Sequence, residues 1–573
     1  MVLPKMCGAD TELGNFVLGA DGPLGSGQEA SRALLREIEG FPRTRSFESA
    51  APGWRSTVLY PDGCGSPARG RTSWSTTWYD WRPHGPARET SGYISQAARS
   101  AYDRQDWGRK FLRNGGCAYI DLDHLELATP ETLSAFDQLA AGHAMLRVAQ
   151  AALAAANAAR RDGRKILALA NNSDGRGHSY GSHINFLLSR AAWDNIFCRR
   201  LQLQLALAAF QASSIVFTGQ GKVGGENGAP PVAYQISQRA DFIETLSGIQ
   251  TTYRRPIVNS RDEPLCGSRR TSGGDPEAED MARLHVIFFD NTLCHVATLL
   301  KFGTMQIVLA MIEAGRFNAS LILDDPLEAV VGWSHDPALD SRAAMADGRQ
   351  LTAVELQWLF FADARRFVDG GGCEGAVPRA AEIMALWEEV LSRLEARDFD
   401  ALAGRLDWVL KSSILGRAME QRQDLTWGSP EIKHLDLLYS SLDPDEGLYW
   451  AYEREGFTER LAAEEDIQRL TTTPPGDTRA WTRGMLLDLA GADGVEDAHW
   501  DRLTITTGSD RGWRPPRVVH LENPLKWTGA TMREVFEAGG GLEGVLARLE
   551  QLQESDPGTV ALAVRAGDVR RVN

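Results

Sequence analysis

Two periodicities divide the chain. Short stretches alternate apolar and polar residues, as half-buried strands do, and longer ones repeat apolar residues near every 3.6 positions, as helices do. The stretch around Gly8–Gly14 reads as a short strand entering a glycine-rich turn, and Ser31–Glu39 as a short helix. Phe111–Leu127 gives a glycine turn and then one alternating strand, CAYIDLDHLEL. That alternation places Asp121, Asp123 and Leu125 on one face and Leu122, His124 and Glu126 on the other. Pro130-Glu131 opens a long alanine-rich helix, about Glu131–Arg161, closed by Asp162-Gly163. A strand at Lys165–Ala170 leads into the polar loop NNSDGRGHSYGSH, and a further strand is expected at Arg283–Phe289 and a helix at Leu293–Glu313. From about Pro378 to Thr471 the pattern is strongly helical. A break at Pro474–Gly476 precedes a mixed segment, Trp481–Asn573.

One region follows neither period. From about Ser46 to Gly92 the chain is rich in Pro, Gly, Ser and Arg, with Trp54, Trp74, Trp78 and Trp81 and, just beyond, Trp107. It reads as a long insertion, either a surface loop or a lid that docks through its tryptophans.

Composition narrows the class. The 573 residues are 43% hydrophobic, 24% charged and 8% aromatic, with 61 basic against 76 acidic side chains and a net charge of −15. Those are globular values, and a chain of this length holds about two to four domains. An acidic chain repels phosphate backbones, so no nucleic-acid partner is expected. No apolar run is expected to span a bilayer and no signal peptide is read at the start, so no membrane partner is expected either. Seven cysteines form no CxxC pair and read as reduced thiols. The class these features point to is a cytoplasmic enzyme.

Four constellations carry possible chemistry. Asp10 and Glu12 share a strand face at i and i+2, where a divalent cation would relieve their repulsion; a solvated edge fits as well. Asp121, Asp123, His124 and Glu126 crowd acid into an otherwise apolar strand, either at a site or on a solvated edge. In the loop Asn171–Arg190, Gly175, Gly177 and Gly181 admit a phosphate to backbone N–H groups and His183 offers a metal ligand, unless the loop is only a tight turn with a capping histidine. Arg239, Arg254, Arg255 and Arg261 are candidates for bidentate phosphate or carboxylate contacts, or for structural ion pairs with Asp241 and Glu263. His285, within RLHVIFF, fits a core residue as well as a ligand. Together these groups suggest an ATP–Mg²⁺ site on a sheet.

The order of these segments resembles the Pup ligase/depupylase family, relatives of glutamine synthetase. The matching pieces are GADTELG at Gly8–Gly14, NGGCAYIDLDHLELATPE at Asn114–Glu131, NNSDGRGHSYGSHINFLLSR at Asn171–Arg190 and QISQRADFIE at Gln235–Glu244. RRPIVNSRDEP at Arg255–Pro264, RLHVIFFDNTLCHVATLLKFGT at Arg283–Thr304, LDWVLK at Leu406–Lys411, HLDLLYSSLDPDEGLYW at His434–Trp450 and PPGDTRAWTRG at Pro474–Gly484 continue it. The Asp121–His124 spacing, the Gly181-Ser182-His183 triplet and the long insertion before Asn114 lean toward the depupylase branch.

The resemblance implies an α/β (α+β) fold: a glutamine-synthetase-like antiparallel sheet cradle backed by helices, with a small C-terminal domain. The expected division is a catalytic domain over 1–485, carrying the flexible insertion at 46–110, and a C-terminal domain over 486–573. It also implies ATP and Mg²⁺ as cofactors, and Pup or a Pup-like small protein modifier, with its conjugates, as partner. Asp121 matches the family's essential aspartate. Asp10, Glu12, Glu126, His183 and His285 match positions that hold Mg²⁺–ATP, and Arg239, Arg261 and Ser182 match nucleotide contacts. The implied activity is ATP-dependent hydrolysis of an isopeptide or side-chain amide at the modifier's C-terminal Gln or Glu. A carboxylate–amine ligase acting through an acyl phosphate, or a binding paralogue without turnover, are the alternatives. Five departures stand out: Asp10 and His295 replace family glutamates, Ile184 replaces a third, and Leu125 and Leu127 replace Pro and Tyr around Glu126. Pup-like modifiers are acidic, so a local basic groove is expected, with the Arg-rich stretches 253–270 and 405–422 as candidates.

Overall fold

The computed structural model describes residues 2–19, 27–42, 109–266, 280–507, 516–555 and 561–564. The tryptophan-rich stretch of the insertion expected at 46–110 lies outside them, as do residues 267–270 of the first Arg-rich stretch.

The chain forms two compact units, each discontinuous in sequence. The first comprises Met1–Glu37, His124–Asp262 and Met281–Thr472; the second comprises Ile38–Asp123, Glu263–Asp280 and Thr473–Asn573. A boundary at 485/486 would fall inside the helix Ala480–Gly494, which runs directly into the strand Val495–Ala498.

In the first unit the long strand Cys7–Leu18 is central to an antiparallel sheet. Its first half pairs with Ser182–Ser189 on one side and His124–Ala128 on the other, with Asp10 opposite His183 and Glu12 opposite Glu126. Its second half, Gly14–Leu18, pairs with Lys165–Leu169. Met281–Val286 extends the sheet beyond Ser182–Ser189, with His285 opposite Asn185. The expected antiparallel sheet backed by helices is therefore present.

Two apolar helices supply much of the core. Ala135–Ala159 starts where the Ser134 hydroxyl accepts the Phe136 N–H, a side-chain cap. Near its end Asn157 exchanges two hydrogen bonds with the backbone of Ile166, tying helix to strand. His295–Glu313 is buried from His295 through Ile312. Both are long and apolar enough to cross a bilayer by length and composition, against the expectation that no such run exists. Here that apolarity is consumed by packing within the unit, as in a helix that is hydrophobic all round.

The expected single strand CAYIDLDHLEL is two strands, Cys117–Asp121 and His124–Ala128. Leu122 takes a left-handed conformation, φ +51°, and is 54% exposed, so it turns the chain instead of continuing the alternation. Parity counted across the turn therefore fails, whereas parity within His124–Ala128 holds: Leu125 and Leu127 are buried in the core on the face opposite Glu126.

The second unit contains the antiparallel sheet Val495–Ala498, Arg502–Ile505, Arg517–His520 and Ala561–Val564. The arginines of its PPGDTRAWTRG motif are structural. Arg483 donates to the Gly115 and Trp500 carbonyls, and Arg479 to those of Leu521, Glu522 and Leu265. Each holds distant loops together through carbonyls that would otherwise be buried without donors.

Candidate active site

The sheet register alone collects the acidic and imidazole groups of the first unit. Residues paired across antiparallel strands project on the same face. Asp10 and Glu12, His183 and Asn185, Glu126 and His285 thus share one face. Asp10, Glu126 and His183 bring ligand atoms within 4.8 Å of one another. The Glu12 carboxylate accepts the Gly181 N–H at 2.8 Å and lies 3.7 Å from His183 Nε2. Gly181 is required by this approach, because a Cβ there would stand 2.4 Å from His183 Nε2 and 2.6 Å from Glu12 Oε1.

Asn185, absent from the sequence-based set, organises the face. Its Oδ1 accepts from Arg283 Nη1 at 3.0 Å, and since arginine only donates, this fixes the amide orientation. The same oxygen lies 2.8 Å from His285 Nδ1, and Nδ2 donates to Asp10 Oδ2 at 3.1 Å. His285 Nδ1 therefore carries the hydrogen. Its Nε2 lone pair is left buried and without a hydrogen bond among the described residues. A histidine held through one nitrogen with the other free is the arrangement that a metal or an ordered donor uses.

Electrostatics keep the face ready for a cation. Burial first, and then the nearby arginines 239, 261 and 255, lower His183 to about 4 against the opposing pull of Glu12. Burial, Arg283, His183 and Arg261 push His285 well below its ordinary range. Both imidazoles are neutral near pH 7. Burial alone would raise the Glu12 carboxyl, but His183, His124, the Gly181 N–H and Arg239 together hold it below its ordinary range. Neutral nitrogen and ionised oxygen are the ligand forms that a divalent cation takes.

Beside this face sits an arginine corner. Arg239 is fully buried, and its Nη1 donates to the Tyr180 carbonyl. Its Nε and Nη2 have no hydrogen-bond partner among the described residues. Burial lowers it to about 10, which still leaves it charged at neutral pH. Its backbone is held by the buried Asp290 carboxylate, which accepts from the Gln220, Gln238 and Arg239 N–H groups and from the Ser237 hydroxyl. The alternative reading, an ion pair of the corner's arginines with Asp241, is not found among the described residues: Asp241 pairs with His335 at 2.7 Å and Lys222 at 3.4 Å. Arg255 donates to the Ser179 and Thr251 carbonyls. Arg261 lies near enough to act on both His183 and His285. Two guanidinium nitrogens with unspent N–H donors in a buried corner fit an anion such as phosphate.

Of the expected residues, Asp10, Glu12, Glu126, His183, His285, Arg239 and Arg261 are brought together. Ser182 is not: it is opposite Thr11, buried, and projects on the reverse face from His183. Asp121 ends the strand Cys117–Asp121, in the second unit. Two departures fall off the cation face. Ile184 is fully buried opposite Val286 on the reverse face, and His295 lies in a separate buried group with His143 and Glu453. That group is a poor cation site. His295 Nδ1 accepts the Leu461 and Ala462 N–H groups, so its hydrogen sits on Nε2, and Arg147 and Arg460 already pair with Glu453. Within residues 405–422 three basic groups are already spent: Arg405 pairs with Glu389 and Glu459, Lys411 with Asp436, and Arg422 with Asp424, while Arg417 is exposed.

Comparison with known proteins follows the same lines. A family model described as Pup-ligase protein matches residues 5–504. The Pup deamidase/depupylase of Mycolicibacterium smegmatis is 35% identical over 517 residues, 88% of this chain and 98% of that protein. The Pup–protein ligase of Acidimicrobium ferrooxidans is 35% identical over 426 residues, 73% of this chain and 88% of that protein. The structure of the Pup ligase PafA in complex with ADP superimposes with a TM-score of 0.65 at 26% identity, covering 80% of this chain and 95% of that one. A match of this extent is decisive, and the chain belongs to the Pup-ligase family.

Proposed function

We propose that this protein is an ATP- and Mg²⁺-dependent hydrolase. It cleaves the isopeptide bond or side-chain amide at the C-terminal Gln or Glu of Pup or a Pup-like modifier. The observation that carries this reading is the pairing of a three-ligand carboxylate–histidine face with a buried arginine in which two nitrogens keep unspent N–H donors. The donor set of Asp10, Glu126 and His183 suits a hard divalent cation, and the free N–H groups of Arg239 suit a phosphate. The named relatives place both hydrolase and ligase in the family, and the match covers 98% of the depupylase against 88% of the ligase.

Each residue has a definite task. Asp10, Glu126 and His183 would hold Mg²⁺, with Glu12 and His285 completing the polar face; Arg239, Arg255 and Arg261 would orient and neutralise phosphate oxygens. When bound, Mg²⁺–ATP supplies the cation and phosphoryl charge that activate a poor electrophile. Asp121 is assigned the catalytic role by its motif. In the hydrolytic step its carboxylate takes a proton from water as the water oxygen bonds to the amide carbon. The carbon–nitrogen bond then breaks, and that proton leaves with the amine or ammonia. Asp121→Asn should abolish release of a fluorescent label from a Pup conjugate while ATP binding stays within about twofold of wild type. Full activity in that variant would overturn the assignment.

A further inference from the structure

We propose that Glu226 is a positioning residue for the arginine corner, acting on Arg255 through the loop Asn171–Gly181; this rests on the reading that nucleotide phosphates occupy that corner. The loop's outer residues, Gly175–His178, are exposed; Gly175 and Gly177 adopt φ +67° and +95°, and Asp174 closes the turn by accepting the Arg176 and His178 N–H groups. Glu226 ties that turn to the buried body of the unit. Its carboxylate accepts from the Ser173 hydroxyl and, at 2.9 Å, from the Gly177 N–H.

Glu226 is itself well anchored. Its side chain is 11% exposed and pairs with Lys222 Nζ at 2.9 Å, and its N–H donates to Asp241 Oδ2 at 2.8 Å. Asp241 in turn accepts from Gln235 at 2.7 Å and is paired with His335. The loop therefore leans on a buried charge network.

What the loop delivers reaches the site in three consecutive residues. Ser179, bridged across the loop to Ser173, presents its carbonyl to Arg255 Nη2 at 2.6 Å. Tyr180 presents its carbonyl to Arg239, and Gly181 its N–H to Glu12. Tyr180 and Arg239 have further supports: Asn172 Nδ2 also binds the Tyr180 carbonyl, the Asn172 N–H donates to Gln238, and Asp290 holds the Arg239 backbone. Ser179 faces Ser173, the residue that Glu226 grips. The path Glu226–Ser173–Ser179–Arg255 is thus the one that a Glu226 substitution disturbs first.

A double-mutant cycle on the full chain tests this, with Mg²⁺–ATP as the probe in binding and turnover assays. Glu226→Gln keeps the shape but turns an amide NH₂ toward donors, so the KM for ATP should rise about tenfold with kcat within about threefold. Ser173→Ala removes the hydroxyl that links Glu226 to the loop and that also accepts the exposed loop's Gly175 N–H, and should give the same direction in a chain with unchanged melting temperature. In an Arg255→Gln background, Glu226→Gln should add less than about twofold, because its route is already cut. An unchanged KM in both single variants, or a full tenfold effect persisting in Arg255→Gln, overturns the inference. Failure of the wild-type chain to bind ATP instead overturns the nucleotide reading, and this inference with it.

Discussion

Gly181 stands where no other residue fits. Its backbone lies close enough to His183 and Glu12 that even a methyl group must displace one of them. Gly181→Ala should leave the fold intact and cut Mg²⁺-dependent hydrolysis about a hundredfold, since an ångström-scale shift of positioned groups costs that much. A titration of rate against Mg²⁺ would show it as a raised requirement for the cation. At this scale the sequence was partly legible. The i, i+2 acids of Asp10 and Glu12 and the matched histidines were visible because alternation on one strand is local. Asn185 was visible in the same way, two residues after His183, yet its partner His285 lies 100 residues on, and no spacing rule reaches that far. Parity also tells against Ser182, its side chain necessarily opposite to that of its neighbour His183. Arg239 was legible as an arginine in an acidic chain; its two unpartnered nitrogens were not, because they depend on what a fold leaves unpaired.

A buried carboxylate can brace an element as firmly as its own caps do. Asp407 receives the Leu293 and Cys294 N–H groups at the start of the core helix His295–Glu313, together with the Tyr439 hydroxyl. Asp407→Ala leaves those donors buried without an acceptor and should cost about 3 kcal/mol or more. Urea unfolding should show this as a lowered midpoint with an unchanged slope. The LDWVLK motif that carries Asp407 was legible as a family segment, but its role as a brace was not. The turn at Leu122 was missed for a related reason. Asp-Leu-Asp carries no glycine or proline to mark a break, and a left-handed leucine is a conformation that tertiary context imposes. The two long apolar helices and the strands at Lys165 and Arg283 were placed to within about four residues, but the strand read as short around Gly8–Gly14 runs from Cys7 to Leu18, and the strand Ser182–Ser189 lies in the stretch read as a loop.

At the scale of the whole molecule, buried histidines make stability depend on pH. Burial first, and then the Arg460 and Arg147 charges, lower His295 to about 4; His143 is pushed well below its ordinary range by burial, His295 and the same arginines. An unfolded chain takes up these protons near pH 6.5, whereas the folded chain refuses that of His295 until about pH 4. The stability is therefore complete above about 6.5 and falls as the pH drops toward 4, by about 1.4 kcal/mol per pH unit for His295 alone. Urea midpoints at pH 7.5 and 5.5 would measure that slope, and His295→Gln should flatten it. The net charge of −15 belongs to this scale too. Among the described residues, Arg405 and Lys411 are spent on internal pairs, whereas Arg239, Arg255 and Arg261 act together on the candidate site, so an acidic group entering it meets positive charge there.

The direction of the reaction is the central claim, and one assay separates its readings. The protein is incubated with Mg²⁺ and ATP and given either a fluorescent Pup conjugate or free Pup ending in glutamate together with a lysine-bearing acceptor. Release of the label from the conjugate, dependent on both Mg²⁺ and ATP, is the predicted result. Formation of new conjugate in the second mixture, with no release in the first, would contradict it.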